Sequence, residues 1–88
     1  LLWSSFGKEG YAIGVARSQS GRITGPWEHF SEPLFARDGG HGMLFRTLDG
    51  ELLLSIHQPN VLPAERPHFF RVKEAADGSL YLDGEFRP

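Results

Sequence analysis

The chain has 88 residues with a formal net charge of −2, a pI of about 6.1 and no cysteine. That length allows one small domain with a modest core. The charge balance gives no basic surface for nucleic acid, and the missing thiols exclude a disulfide framework and a thiolate metal site. Apolar runs are short and alternate as strands do, so nothing in the sequence reads as a membrane-spanning helix.

Eleven glycines and six prolines interrupt every window long enough for an amphipathic helix, whereas strand patterns are plentiful. Leu1 to Phe6 reads as a strand, followed by a turn at Gly7-Lys8-Glu9-Gly10. Tyr11 to Ser18 follows, with Tyr11, Ile13 and Val15 on one face and the small Ala12, Gly14 and Ala16 on the other, where a neighbouring sheet is expected to pack closely. After a polar loop, Trp27 to Phe30 and Pro33 to Phe35 read as an irregular outer strand, since proline suits an edge. Met43 to Leu48 and Glu51 to His57 flank Asp49-Gly50, a pair favoured at a type I′ hairpin turn. Pro59 to Pro67 is a proline-rich loop. Pro67 to Glu74 and Ser79 to Asp83 are two further strands joined across Ala76-Asp77-Gly78.

The last four strands form one antiparallel meander, and the first half matches the last three strands of a similar unit. Leu1 and Glu51 open corresponding strands, an offset near the ~40–45 residues of a propeller blade. A β-sandwich fragment gives the same spacing, so periodicity alone leaves both architectures open. The chain opens on Leu1-Leu2-Trp3, already strand-like, and closes on Arg87-Pro88, so a piece of a larger protein is expected.

Gly39-Gly40-His41-Gly42 stands out chemically. Three glycines around one imidazole permit a sharp turn and close approach, and present the ring to a metal, a water or a ligand. Together with Trp3-Ser4-Ser5-Phe6, Tyr11 to Ser18, Gly25-Pro26-Trp27-Glu28, Leu53 to Asn60 and Glu65-Arg66-Pro67-His68-Phe69-Phe70, it resembles glycoside hydrolase family 43. The resemblance implies an all-β fold of antiparallel four-stranded meanders, about two blades of a five-bladed β-propeller. Residues 1–38 would be the remainder of blade four, lacking its inner strand, and residues 39–88 the final blade. It further implies inverting cleavage of arabinose- or xylose-containing glycans, in which an acid and a base about 6.5–9.5 Å apart act from opposite faces.

The resemblance places the family's three catalytic acids on inner strands of earlier blades. The acidic residues of this chain bear that out: Glu9, Asp49, Asp77 and Glu85 fall in turns or the tail, and none forms an inner-strand pair. No catalytic residue is therefore expected here, and the chain should be inactive alone. By the resemblance, His41 faces the central channel and contacts a bound ion, commonly calcium, directly or through water. The plainer reading of His41 is a hydrogen bond to a backbone carbonyl at the propeller axis. His57, in His57-Gln58-Pro59-Asn60, is a substrate-side candidate at a strand end, while Pro59 and Asn60 read as turn formers. Arg66 is a substrate-side candidate whose commoner role is a salt bridge to a carboxylate such as Glu65. Trp3 is suited to stacking on a sugar, whereas Trp27 is expected to pack between blades. The four histidines, His29, His41, His57 and His68, lack zinc-site spacing.

Expected partners are a plant-type polysaccharide or oligosaccharide, and either upstream blades or a second copy to cover exposed strand edges. A secreted or periplasmic parent fits such a substrate. The competing reading is a non-catalytic carbohydrate-binding or interaction module.

Overall fold

A computed structural model describes residues 1–87; Pro88, the last position of the expected final unit, lies outside the described residues. Seven strands run in chain order: β1 (Leu2–Gly7), β2 (Gly10–Ser18), β3 (Trp27–His29), β4 (Gly40–Arg46), β5 (Leu52–Gln58), β6 (Arg66–Glu74) and β7 (Leu80–Phe86). They form two antiparallel sheets, β1-β2-β3 and β4-β5-β6-β7, with every neighbour also a sequence neighbour. Among the described residues there is no helix. The all-β meander expectation is met, and the two sheets part in the stretch between His29, where β3 ends, and Gly40, where β4 begins.

Local chemistry explains the connections. In β2, the pairing with the outer strand is broken: β3 covers Ser18 to Ala16, and the chain then bulges at Ser31-Glu32. It returns to bond Ile13 through Leu34 and Phe35. The two expected pieces of this strand both dock on β2. The β4–β5 turn differs from expectation. A type I′ turn needs positive φ at two central residues, but only Gly50 has it (87°). The Thr47 carbonyl accepts the Gly50 N–H at 2.9 Å, and Thr47 pairs with Glu51, giving a three-residue loop closed by a left-handed glycine. The β6–β7 turn repeats this arrangement at Ala75 to Ser79, with Gly78 at 85°. There Ser79 donates both its N–H and its hydroxyl to Asp77, which holds that carboxyl below its ordinary pKa.

The core lies between the sheets. Ile13 and Phe35 from the first meet Leu54, Ile56, Phe70 and Val72 from the second. The face of β2 carrying Ile13 is therefore the one covered by a sheet, and the expectation for its small face is corrected. Gly14 is covered by the Trp3 ring, which occupies the space a Cβ would fill at 2.6 Å. The contact is dictated by register, since Trp3 lies directly across from Gly14. In β5 the run Leu52-Leu53-Leu54 is buried on both faces: Leu54 in the core, and Leu53 on the far face among Phe45 and Arg71, which lie across from it in the register. The Arg71 guanidinium lies 5.3 Å from the centre of the Phe86 ring and donates to Glu51 at 2.7 Å. On the last strand, His68 at 2.8 Å and then Arg87 hold the Glu85 carboxyl below its ordinary value.

Glycine matters most where the sheets meet. A Cβ on Gly39 would sit 2.8 Å from the His57 carbonyl oxygen and 2.8 Å from the Phe35 ring, one of them rigid backbone. Gly39→Ala should therefore destabilise the chain by about 1–3 kcal/mol through overpacking. A urea melt should show a lower midpoint with an unchanged slope; an unchanged midpoint would contradict the close approach.

Candidate functional site

One end of both sheets gathers the chemistry. β1 ends there at Gly7, β2 and β4 begin there at Gly10 and Gly40, and β5 ends there at Gln58. The last three residues before β4 form the junction. Asp38 has φ 61°, a left-handed conformation that aspartate tolerates better than most residues. Its Oδ1 accepts the Tyr11 N–H at 3.1 Å and its Oδ2 accepts the Asn60 N–H at 3.3 Å. The Gly39 N–H donates to the Tyr11 carbonyl at 3.0 Å. One carboxylate thus ties the start of β2 to the loop after β5.

His41 follows in the left-handed region at φ 54°, within a bulge where His41 and Gly42 oppose the single Ile56. Bulges re-aim side chains next to functional sites, and a non-glycine residue held at positive φ is a mark of such sites. Its backbone N–H donates to Ser4 Oγ at 3.2 Å, and its exposed side chain faces His57 with ring centroids 6.4 Å apart. His57 stacks on Tyr11 at 5.9 Å and 18°, and Tyr11 in turn meets Phe6 at 5.1 Å. Phe6, Tyr11, His57 and His41 form a row of rings along this end. Phe6 and His41 are exposed, while Tyr11 and His57 are half-buried between them.

His57 is the best-anchored member. Its Nε2 lies 2.8 Å from Asn60 Oδ1 and 3.2 Å from Glu65 Oε2. Gln58 Nε2 donates to the Arg37 carbonyl at 2.7 Å, holding the strand end against the junction. Arg37 itself lies over Phe35 and Phe70 at 5.2 and 5.7 Å.

The residues expected from sequence fare differently. His41 and His57 come together. Trp3 lies elsewhere, on the opposite face of the first sheet over Gly14 and edge-on to His29 at 6.0 Å. Arg66 turns onto its own loop, donating to the carbonyls of Pro63 and Glu65 at 3.1 and 2.8 Å, and makes no ion pair among the described residues. The expected salt bridge is replaced because Glu65 is committed to His57. Asn60, read as a turn former, has its side chain on His57. Trp27 is not packed between sheets: it is exposed, with Nε1–H donating to the Ile23 carbonyl at 2.9 Å. Phe6, Tyr11 and Asp38 join the site with no sequence signal for function, and Glu65, expected to pair with Arg66, joins it through His57. Phe6 and Tyr11 flank the Gly7–Gly10 turn and so lie directly opposite each other, a cross-strand aromatic pair that the turn position signals.

Calcium takes six to eight oxygen ligands, mostly carboxylate and carbonyl. Among the described residues no three His, Asp or Glu side chains group to hold a metal ion. The oxygens of Asp38 are engaged by backbone N–H groups, and Glu65 by His57. The chain alone does not fit a calcium cage; what it offers is one exposed imidazole.

The fold and this end together define a propeller-blade unit: blade-type antiparallel sheets with aromatic and imidazole rings at one end. No family model matches the chain, and no curated protein matches it. Among solved structures the chain is similar to the endo-arabinase from Bacteroides thetaiotaomicron, with 44% sequence identity and a TM-score of 0.78. The match covers 85% of this chain and 27% of that protein, so the chain spans about a quarter of its length.

Because the donor set is incomplete, millimolar calcium should leave the thermal midpoint of the isolated chain unmoved in a differential scanning experiment. A calcium-dependent rise, whether or not it survives His41→Ala, would contradict an incomplete donor set.

Proposed function

We propose that the chain is the C-terminal part of an arabinan-cleaving glycoside hydrolase of family 43, forming one wall of its ligand face. The observation that carries this reading is the 44% identity to an endo-arabinase sustained over 85% of the chain. The three-strand and four-strand sheets fit blade four without its inner strand and a complete blade five, residues 1–38 and 39–88. Arabinan is preferred over xylan because the similar enzyme is an endo-arabinase.

The mechanism assigned to the whole enzyme is inverting hydrolysis, with acid and base on blades outside this chain. The acids at the ring-lined end support that division. Asp38 accepts two backbone N–H groups and Glu65 engages His57, so neither is free to protonate a leaving oxygen or activate water. The chain contributes orientation. Phe6 and Tyr11 offer apolar ring surface to a pentose face, and His57 offers a fixed polar contact. His41 is proposed to give a single nitrogen to an ion or water in the channel, the remaining donors coming from other blades. Trp3, remote from this end, is assigned to packing, and Arg66 to bracing the loop that carries Glu65.

The test compares this chain with the product of the open reading frame that encodes it, assayed for reducing sugar released from debranched arabinan and from xylan. The chain alone should release none. The full product should cleave arabinan preferentially, and His57→Ala within it should lower kcat/KM about 10- to 100-fold through loss of orientation. Hydrolysis by the isolated chain, or a full product inert on arabinan, would overturn the reading.

A further inference from the structure

We infer that Glu65 is a positioning residue that fixes the tautomer of His57, so that His57 meets a ligand hydroxyl through Nδ1 as a hydrogen-bond acceptor. The inference deepens the functional reading above and rests on it for the identity of the ligand.

The argument begins from what each group can donate. An ionised carboxylate only accepts hydrogen bonds, and a neutral imidazole has one N–H and one lone pair. Glu65 Oε2 lies 3.2 Å from His57 Nε2. With a lone pair on Nε2, two acceptors would face each other at that distance, an arrangement that repels. The proton therefore sits on Nε2. This in turn orients Asn60: at 2.8 Å from a protonated Nε2, its amide must present Oδ1, with Nδ2 turned away. The hydrogen bond from Nε2–H goes to Asn60 Oδ1, with the Glu65 carboxylate as a charged neighbour at 3.2 Å, and both residues come from the loop between β5 and β6.

With Nε2–H committed, the neutral ring has only Nδ1 for anything else. That nitrogen is an acceptor, and a sugar hydroxyl is a donor that matches it. The ring is also held against rotation. Tyr11 stacks on it at 18°, and the backbone of Asn60 is pinned by Asp38 at 3.3 Å, so the clamp rests on the same junction that joins the sheets. Arg66 serves the clamp indirectly: its guanidinium holds the carbonyls of Pro63 and Glu65, bracing the loop that delivers the carboxylate.

The arrangement explains why the Glu65 carboxylate points inward while its neighbour Arg66 does not answer it. A His57 whose proton could shift between nitrogens would present a donor in one state and an acceptor in the other. Locking it makes the contact single-valued, which is the orienting and hydrogen-bonding role a carboxylate gives histidine in many sites.

The experiment is a long-range nitrogen–proton correlation spectrum of the histidine rings in the intact chain, at about pH 8.5 where a histidine of ordinary pKa is neutral. His57 should appear as the Nε2–H tautomer alone, and Glu65→Ala should give a mixture of both tautomers, because without the carboxylate the Asn60 amide can turn Nδ2 toward a lone pair on Nε2. His57 found as Nδ1–H in the unmodified chain would overturn the inference without any variant being needed. So would a tautomer unchanged by Glu65→Ala in a chain whose amide spectrum shows it still folded. Titration with arabino-oligosaccharide forms a separate arm. A shift confined to the Nδ1 resonance supports the acceptor role, and a shift at Nε2 instead overturns it. Absence of any binding, with the tautomer result intact, would count against arabinan as the ligand and leave the Glu65 clamp standing.

Discussion

The carboxylate of Asp38 bridges the Tyr11 N–H in β2 and the Asn60 N–H in the loop after β5, tying together two sheets that share no hydrogen-bonded strand edge. Charge-assisted hydrogen bonds of this kind contribute about 1.5–3 kcal/mol each when shielded, and less where water reaches them. Their structural effect exceeds that figure. They hold Tyr11 beside the loop after β5; next to them a Cβ on Gly40 would run into the Tyr11 ring, and one on Gly39 into the His57 carbonyl and the Phe35 ring. The left-handed backbone at Asp38 and again at His41 follows from the same crowding, because the chain must turn within five residues from the Phe35 docking strand into β4.

The core and the ring-lined end are two consequences of that junction. On one side of it, Gly42 leaves space for the Ile13 and Leu54 side chains to meet, so the sheets bury Ile13 and Leu54 completely. On the other side, Tyr11 comes to lie on His57, His57 within reach of His41, and the loop carrying Asn60 and Glu65 against the imidazole. A rigid packed interface thus positions polar groups that no single strand would hold. The opposite face of the first sheet has no such cluster: Trp3 fills the groove over Gly14 and packs edge-on against His29.

What was legible in the sequence was whatever depends on neighbours along the chain. Strand alternation and the glycine turns located six of the seven strands to within two or three residues; the outer strand, read to Phe35, ends at His29, and Phe35 keeps only an isolated bridge to Ile13, while the Gly-Gly-His-Gly motif points to His41. What was not legible depends on contacts distant in sequence. Which face of β2 is covered is decided by Trp3 falling opposite Gly14, so the small face was filled by a single ring and the sheet took the other side. Adjacency in the sequence favours pairing Glu65 with Arg66, yet the loop turns the two apart, Glu65 toward His57 and Arg66 toward the loop's own carbonyls. Asp38 carries no local pattern at all; its role appears only when Tyr11 and Asn60, 27 and 22 residues away, are brought to it. The type I′ expectation failed for a smaller reason, an extra residue that lets Leu48 and Asp49 keep negative φ and leaves Gly50 alone in the left-handed region.

The central claim is that one carboxylate couples the two sheets at the end where the imidazoles gather. Amide hydrogen exchange measured at Tyr11 and Asn60, in the unmodified chain and in Asp38→Ala, tests it most directly. Both amides should be protected in the unmodified chain and should lose protection together in the variant, while Leu54 in the core strand keeps most of its own. Protection at Tyr11 and Asn60 that is absent to begin with, or that survives removal of the carboxylate, would contradict the account.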